Sequence, residues 1–417
     1  MHSAAYDWRI SYTNLEERGK FQYWADSWLI IRDHYFSKLK VRITMQSLTD
    51  IPQMIIESSN SHTGKKTVLV AHSMGSLIVL WFMKWVEAEG YGNGGSTWIN
   101  DNIEAFINVW SLLGTPKAFP VLLSGEMRDT AQLNAISVYG LEKFFSKSER
   151  ATLMRSLPGI SSMLPKGGDI ISWGDGVSAP DDLDNEGNQN MGAFLKFAGK
   201  RGTDGVVKQT NLTISESFEY LFKHTPDTFH KLLKSNFSYG IARTEEQLIE
   251  NDKRPEKWSN PLEFRLPYAP DLKIYCLYGV GKLTERSYWY KEEVLIGSNI
   301  SIPVIDNTIN VKAHTEKGVE TGEGDGTVPL ISSGYMCVKG WKNSLFNPGN
   351  ATVTTYEMEH MPGRFDFRGG PHTSDHVDIL GRTELIELIL KIAAGKHEDI
   401  KDNIVSSIRE IADRINL

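Results

Sequence analysis

Three residues, Ser73, Asp325 and His376, stand far apart in a chain of 417 residues, in an order that suits nucleophilic acyl chemistry. A hydroxyl attacks an ester only when an imidazole takes its proton, and the imidazole must be held in one tautomer by a carboxylate. Ser73 lies in Ala71-His72-Ser73-Met74-Gly75, between an apolar run from Val68 to Ala71 and a second one from Leu77 to Met83. A turn that lifts a serine out between two such runs strains its backbone and requires small neighbours. Gly75 meets that need two positions after Ser73, and Ala71 stands two positions before it, where glycine is usual. Asp325 lies in Gly322-Glu-Gly-Asp-Gly-Thr-Val-Pro329, as either a triad acid or an Asx-turn residue before glycine. His376 follows in Thr373-Ser-Asp-His-Val-Asp-Ile-Leu380. Of eleven histidines, His360 and His372 are its local rivals, each able to serve as a plain hydrogen-bonding residue. His376 is preferred because a helical pattern, Glu384 to Ile392, follows it, as expected of a loop after the last core strand.

The elements that must position these groups read as strand, turn and helix around Ser73. Val68–Ala71 has the composition of a buried strand, and the run from Leu77 is long enough for a buried helix. The Met74 backbone N–H, at the start of that helix, points to where an oxyanion would form. Serine, acid and histidine in this chain order, with a strand–turn–helix elbow, is the arrangement of the α/β-hydrolase fold. Ile103–Trp110 and Leu272–Tyr278 read as further strands, and Gly114-Thr-Pro-Lys117 as a turn at the sheet's C-terminal edge, either functional or plain. Residues 119–270 turn helical (Met127–Phe145, Ser215–Leu233) between loops such as Pro165-Lys-Gly-Gly-Asp169, and read as a cap inserted into one domain. The core is then about 1–118 and 271–395, with a C-terminal helix at about 397–415. Trp173 and the aromatics of Phe218–Phe222 either line an acyl pocket or fill the cap's own core.

Composition narrows the class. The net charge of −7 gives no reason to expect a nucleic-acid partner, and no apolar stretch approaches the length that spans a bilayer. Met1–Leu15 lacks the apolar core of a signal peptide. The chemistry calls for no cofactor. Cys276 and Cys337 are too few for a metal framework, and could form one disulfide. Four glycosylation sequons begin at Asn211, Asn236, Asn299 and Asn350, each a weak signal alone.

Further blocks extend the pattern along the chain: Ala5-Tyr-Asp-Trp-Arg9, Phe82-Met-Lys-Trp-Val86, Ser162-Met-Leu-Pro-Lys-Gly-Gly168, Tyr275-Cys-Leu-Tyr-Gly-Val-Gly281 and Gly334-Tyr-Met-Cys-Val-Lys-Gly-Trp341. With the elbow, the Gly-Thr-Pro-Lys turn, the acid turn and Asp375-His-Val-Asp-Ile-Leu-Gly381, they resemble the lecithin:cholesterol acyltransferase family over nearly the whole chain. The resemblance implies an α/β-hydrolase fold with a cap, Ser73 as nucleophile, Asp325 as orienter and His376 as base. It also implies a disulfide between Cys276 and Cys337, and the endoplasmic reticulum lumen at a membrane surface, where sequons are used. The implied activity moves a fatty acyl group, at sn-2 of a phospholipid, through an acyl-Ser73 intermediate to a diacylglycerol hydroxyl, without acyl-CoA. A phospholipase or lipase with the same triad, or a non-catalytic fragment, are the alternatives.

Family members carry an anchor, upstream strands, a lid and a second oxyanion loop before the Tyr-Asp-Trp-Arg block. The N-terminal strands are therefore expected to be missing from this chain. Residues 19–31 and about 44–60 have no family counterpart, and 19–31 reads as a translated intron between Arg18 and Arg32. A spliced message that encodes 19–31 would reject that expectation.

Overall fold

The computed structural model describes residues 6, 9–16, 21–22, 28–29, 35–48, 66–109, 112–126, 144–173, 178–182, 191–201, 207–294, 301–310, 315–363 and 370–417. Its centre is a four-stranded parallel sheet in the order Thr352–Glu359, Lys273–Val280, Ile103–Val109, Thr67–His72. Alternation along the strands assigns side chains to the two faces. Ile274, Cys276, Tyr278 and Val280 enter one apolar cluster, while Tyr275 and Leu277 enter another. The first cluster is closed by the helices Met74–Glu87, Leu330–Val338 and Ile408–Asp413, the second by Thr383–Ala393. A parallel sheet covered on both faces is the α/β architecture that the sequence predicts.

The helix after Ser73 is the largest contributor to the first cluster. Leu77, Leu80, Phe82, Met83 and Val86 have no exposed surface, and Trp81 and Trp85 have almost none. Phe36, from the helix Tyr35–Leu48, stacks on Trp81 and Phe82 with ring centroids 4.8 and 6.0 Å apart. Burying such a face ties the serine's helix firmly to the sheet, at roughly 1.5–3 kcal/mol for each large side chain. Cys276 and Cys337 are joined as a disulfide, which links a central strand to the helix Leu330–Val338.

The cap differs from the expected partition. Its framework is a second, mostly antiparallel sheet in which Leu195–Arg201 and Val207–Leu212 join Lys282–Val294, Ser301–Ile305, Thr315–Glu316 and Val319–Gly324. Residues 282–324, assigned to the core by the sequence, thus belong to the cap sheet. Residues 242–269 go the other way, because Ala242, Leu248, Trp258, Leu262, Phe264 and Ala269 pack into the first core cluster. Period-two alternation identifies a strand but says nothing of which sheet it joins, and the helix and loops of 242–269 carry no pattern that tells cap from core, so both boundaries were beyond the sequence. The expected C-terminal helix shrinks to Ile408–Asp413, preceded by a single 3₁₀ turn at His397–Asp399.

Other helices fall where the periodicity puts them. Ser215–Leu233 becomes two helices, Ile214–Lys223 and Asp227–Asn236, broken at Pro226. Residues 127–143, most of the helix expected at Met127–Phe145, lie outside the described residues. So do 49–60 and all of 19–31 except the paired two-residue strands Phe21–Gln22 and Trp28–Leu29. Among the described residues, no strand pairs with the outer side of Thr67–His72, and Val70 there is 44% exposed. No described helix is long and apolar enough to cross a membrane.

Candidate active site

Ser73 sits between strand and helix with φ 58° and ψ −136°, a left-handed conformation that only strong surroundings impose on a residue with a side chain. The sheet below and the buried helix above supply those surroundings. A Cβ on Gly75 would lie 3.8 Å from the Ala71 Cβ and 3.8 Å from the Tyr6 Oη, which is ordinary contact. The extra methyl of Ala71 is therefore accommodated, and the departure from glycine costs the turn little. The Met74 N–H opens the first helical turn, where a backbone donor has no intrahelical acceptor.

The three residues predicted from the sequence meet at this turn. His376 Nε2 lies 3.2 Å from Ser73 Oγ, and His376 Nδ1 lies 2.9 Å from Asp325 Oδ2. Asp325 and His376 are 3% and 7% exposed, so the pair is shielded from water. The other carboxylate oxygen of Asp325 accepts the N–H groups of Thr327 and Val328 at 2.9 and 2.8 Å. One oxygen of Asp325 thus makes the Asx turn, and the other faces the imidazole of His376. His360 instead accepts the Ser374 N–H at Nδ1, 3.1 Å away, and His372 is exposed. Neither of these rivals meets Ser73.

Several residues that sequence reasoning passed over hold the three in place. His72 Nε2 is 2.7 Å from the His376 carbonyl oxygen. Because a carbonyl only accepts, His72 must donate there, which fixes its tautomer. Burial, with the neighbouring His376, depresses the His72 imidazole to about 4, so it stays neutral. Lys282 forms an ion pair with Asp375, the residue before His376. Burial pushes the Asp375 carboxyl up, but Lys282 outweighs it and holds the group below the usual range. The Gly-Thr-Pro-Lys turn proves structural: Thr115 Oγ1 donates to the Thr327 carbonyl at 2.5 Å, and Lys117 Nζ to the Gly326 carbonyl at 2.8 Å. Arg382 braces the histidine loop through Ser374 Oγ and the Glu359 carbonyl, at 2.5 and 2.8 Å.

A cavity of about 370 Å³ opens on the serine, lined by Tyr6, His72, Ser73, Met74, Gly159, Ile160 and Met163. Its far wall, the turn of helix Pro158–Ser161 and Met163, is apolar and fit for an acyl chain. That wall is tied down behind: Tyr12 Oη donates to Ser162 Oγ at 2.8 Å, and buried Lys166 donates to the Ser162 carbonyl at 2.6 Å. Phe218 is part of the cap's apolar core, with Phe222 packed against it, so of the two readings of these aromatics the cap-core one applies to them. The side chain of Trp173 lies outside the described residues. Among the described residues, no group of three His, Cys, Asp or Glu side chains is placed to hold a metal.

The family model described as lecithin:cholesterol acyltransferase matches residues 1–383. A phospholipid:diacylglycerol acyltransferase of Schizosaccharomyces pombe is 48% identical over 418 residues, covering 100% of this chain and 60% of the relative. A protein of the same name from Saccharomyces cerevisiae is 42% identical over 415 residues, covering 98% of this chain and 57% of its own length. Phospholipid:diacylglycerol acyltransferase 1 of Arabidopsis thaliana is 32% identical over 497 residues, covering 100% and 69%. The chain spans 60% and 57% of the first two relatives' length.

Proposed function

The chain belongs to the lecithin:cholesterol acyltransferase family, and from that premise we propose that it carries the catalytic machinery of a phospholipid:diacylglycerol acyltransferase. The observation that carries this reading is the hydrogen-bonded line Ser73–His376–Asp325 opening on an apolar-walled cavity.

In the proposed reaction His376 Nε2 takes the proton of Ser73 as its Oγ attacks a phospholipid ester carbonyl, at sn-2. The oxyanion forms against the Met74 N–H and the positive end of its helix. The imidazolium is stabilised by Asp325 and returns its proton to the leaving lysophospholipid oxygen. A diacylglycerol hydroxyl then gives its proton to His376 and takes the acyl group, which releases triacylglycerol and restores Ser73. Hydrolysis differs only in the acceptor, so excluding water is the cavity's contribution to transfer.

The site works at a membrane surface, where both lipids reside, and on the lumenal side of the endoplasmic reticulum. Two features support that compartment. The disulfide fits an oxidising lumen. Asn350 and Thr352, the ends of one sequon, are both exposed. Digestion of the full-length protein from eukaryotic cells with an N-glycosidase tests the compartment, and no shift on digestion would remove this support.

The activity is tested with phosphatidylcholine labelled at sn-2 and unlabelled diacylglycerol, using the full-length protein and Ser73→Ala. Label in triacylglycerol that disappears in the variant is expected. Ser73-dependent label in free fatty acid alone would instead identify a phospholipase.

A further inference from the structure

Resting on that reading of Ser73, we infer that the Tyr6 hydroxyl is a catalytic hydrogen-bond donor to the oxyanion, acting beside the Met74 N–H.

Position is the first argument. Tyr6 lines the same cavity as Ser73 and Met74, and its Oη lies 3.8 Å from where a Cβ of Gly75 would be. The hydroxyl therefore stands over the first turn of the serine's helix, one residue beyond the backbone N–H that faces the developing charge. Electrostatic stabilisation requires donors at that place and aimed in advance.

The second argument is that the hydroxyl is uncommitted where its neighbours are not. Ser73 Oγ faces His376, and His72 donates to the His376 carbonyl. Tyr12, the next tyrosine in the chain, spends its hydroxyl on Ser162. Tyr6 Oη has no hydrogen-bond partner among the described residues, although its ring is half-buried against the core. Burial raises the phenol above its ordinary range, so it stays protonated and able to donate.

The third argument is rigidity. The Tyr6 ring meets Tyr35 edge-on with centroids 6.4 Å apart, and Tyr35 meets Phe36 in the same way at 5.2 Å. Phe36 in turn stacks on Trp81 at 4.8 Å. Trp81 belongs to the helix that begins at Met74. A ladder of rings thus fixes Tyr6 to the same helix that carries the backbone donor, so both move with Ser73.

The test is Tyr6→Phe in the full-length protein, which keeps the ring ladder and removes one oxygen. Turnover of a p-nitrophenyl ester would be followed for the parent, Tyr6→Phe and Ser73→Ala, with active sites counted by fluorophosphonate labelling at saturation. Counting sites corrects for any misfolded fraction. We expect kcat per labelled site to fall about 10²–10³-fold, the usual loss for one oxyanion donor, with KM little changed. The rate of fluorophosphonate labelling should fall as well, because it also builds charge on a tetrahedral centre. A variant with kcat within about twofold of the parent, while Ser73→Ala is dead, overturns the inference and leaves the function reading standing. Parent turnover that does not depend on Ser73 overturns both.

Discussion

His72 and His376 are joined by a 2.7 Å hydrogen bond from the imidazole of one to the backbone carbonyl of the other. The residue before Ser73 thus holds the residue proposed to activate it. Their rings lie with centroids 5.0 Å apart, so the bond also sets the spacing of the two loops. Replacing His72 with Leu removes the only donor this bond has and leaves the carbonyl unpaired. A roughly tenfold fall in kcat is expected, since small misplacements of a base are costly. Because His72 stays neutral down to about 4, the acid limb of the pH profile above that value should keep its midpoint. A shifted limb would mean that His72 itself titrates during turnover.

Asp325→Asn keeps the shape of the acid and its bonds to the Thr327 and Val328 N–H groups. It presents an amide to His376 Nδ1 and so favours the wrong tautomer. The expected loss in kcat is on the order of 10⁴-fold, with binding of substrate nearly unchanged. Steady-state kinetics on the purified variant check this, and a fall in kcat/KM carried by KM alone would contradict it.

The disulfide spans a sequence separation of 61 residues, a long loop that includes the strands of the cap sheet from Lys282 to Gly324. Cys276→Ala with Cys337→Ala should therefore lower stability by about 2–4 kcal/mol, chiefly by freeing the unfolded chain. Urea unfolding of the parent and the double variant measures this. Equal midpoints would show that the bridge adds nothing.

Lys166 is fully buried, and burial depresses it from the ordinary lysine value to about 7. Between about 7 and 10.5 the unfolded chain holds this proton and the folded chain does not. Folding is therefore favoured as pH rises through that window, by up to about 1.4 kcal/mol per unit from this group. Below about 7 both states are charged, and the folded one carries a buried ammonium that is met by the Ser162 carbonyl at 2.6 Å and by the face of the Phe237 ring, 5.6 Å from its centroid. Lys166→Met should flatten the rise in stability between pH 7 and 10 relative to the parent. Parallel stability curves for the two proteins would refute this.

Much of the centre of the molecule was legible because its signals are local. A buried strand, a turn of small residues and a buried helix identify Ser73 from about fifteen residues, and the required order of acid and base then selects Asp325 and His376. The supports were not legible, since nothing around His72, Thr115 or Lys282 distinguishes a brace from a surface residue. Those roles come from contacts between segments up to 304 residues apart, as for His72 and His376. The cap was misdivided for a related reason. Strands at 282–324 carry the right alternation, but the partner that decides their sheet, Leu195–Arg201, lies some eighty residues away in the chain.

The way the chain enters and leaves that second excursion has a consequence for how the family can diversify. It departs the core at Lys282 and returns at Asp325, and these two residues pair backbone to backbone. One clasps Asp375 and the other the ring of His376. The neck of the excursion and the proposed chemistry therefore share the same few residues, and Thr284, just past the neck, still reaches them by accepting the Gly326 N–H at 2.8 Å beside Asp325. Lengthening or shortening the hairpin at its far end, where Val294 pairs with Ser301, leaves that neck in place, so the excursion can vary there without disturbing the site. Changes at the neck itself have no such freedom, because they remodel the reaction and the scaffold together.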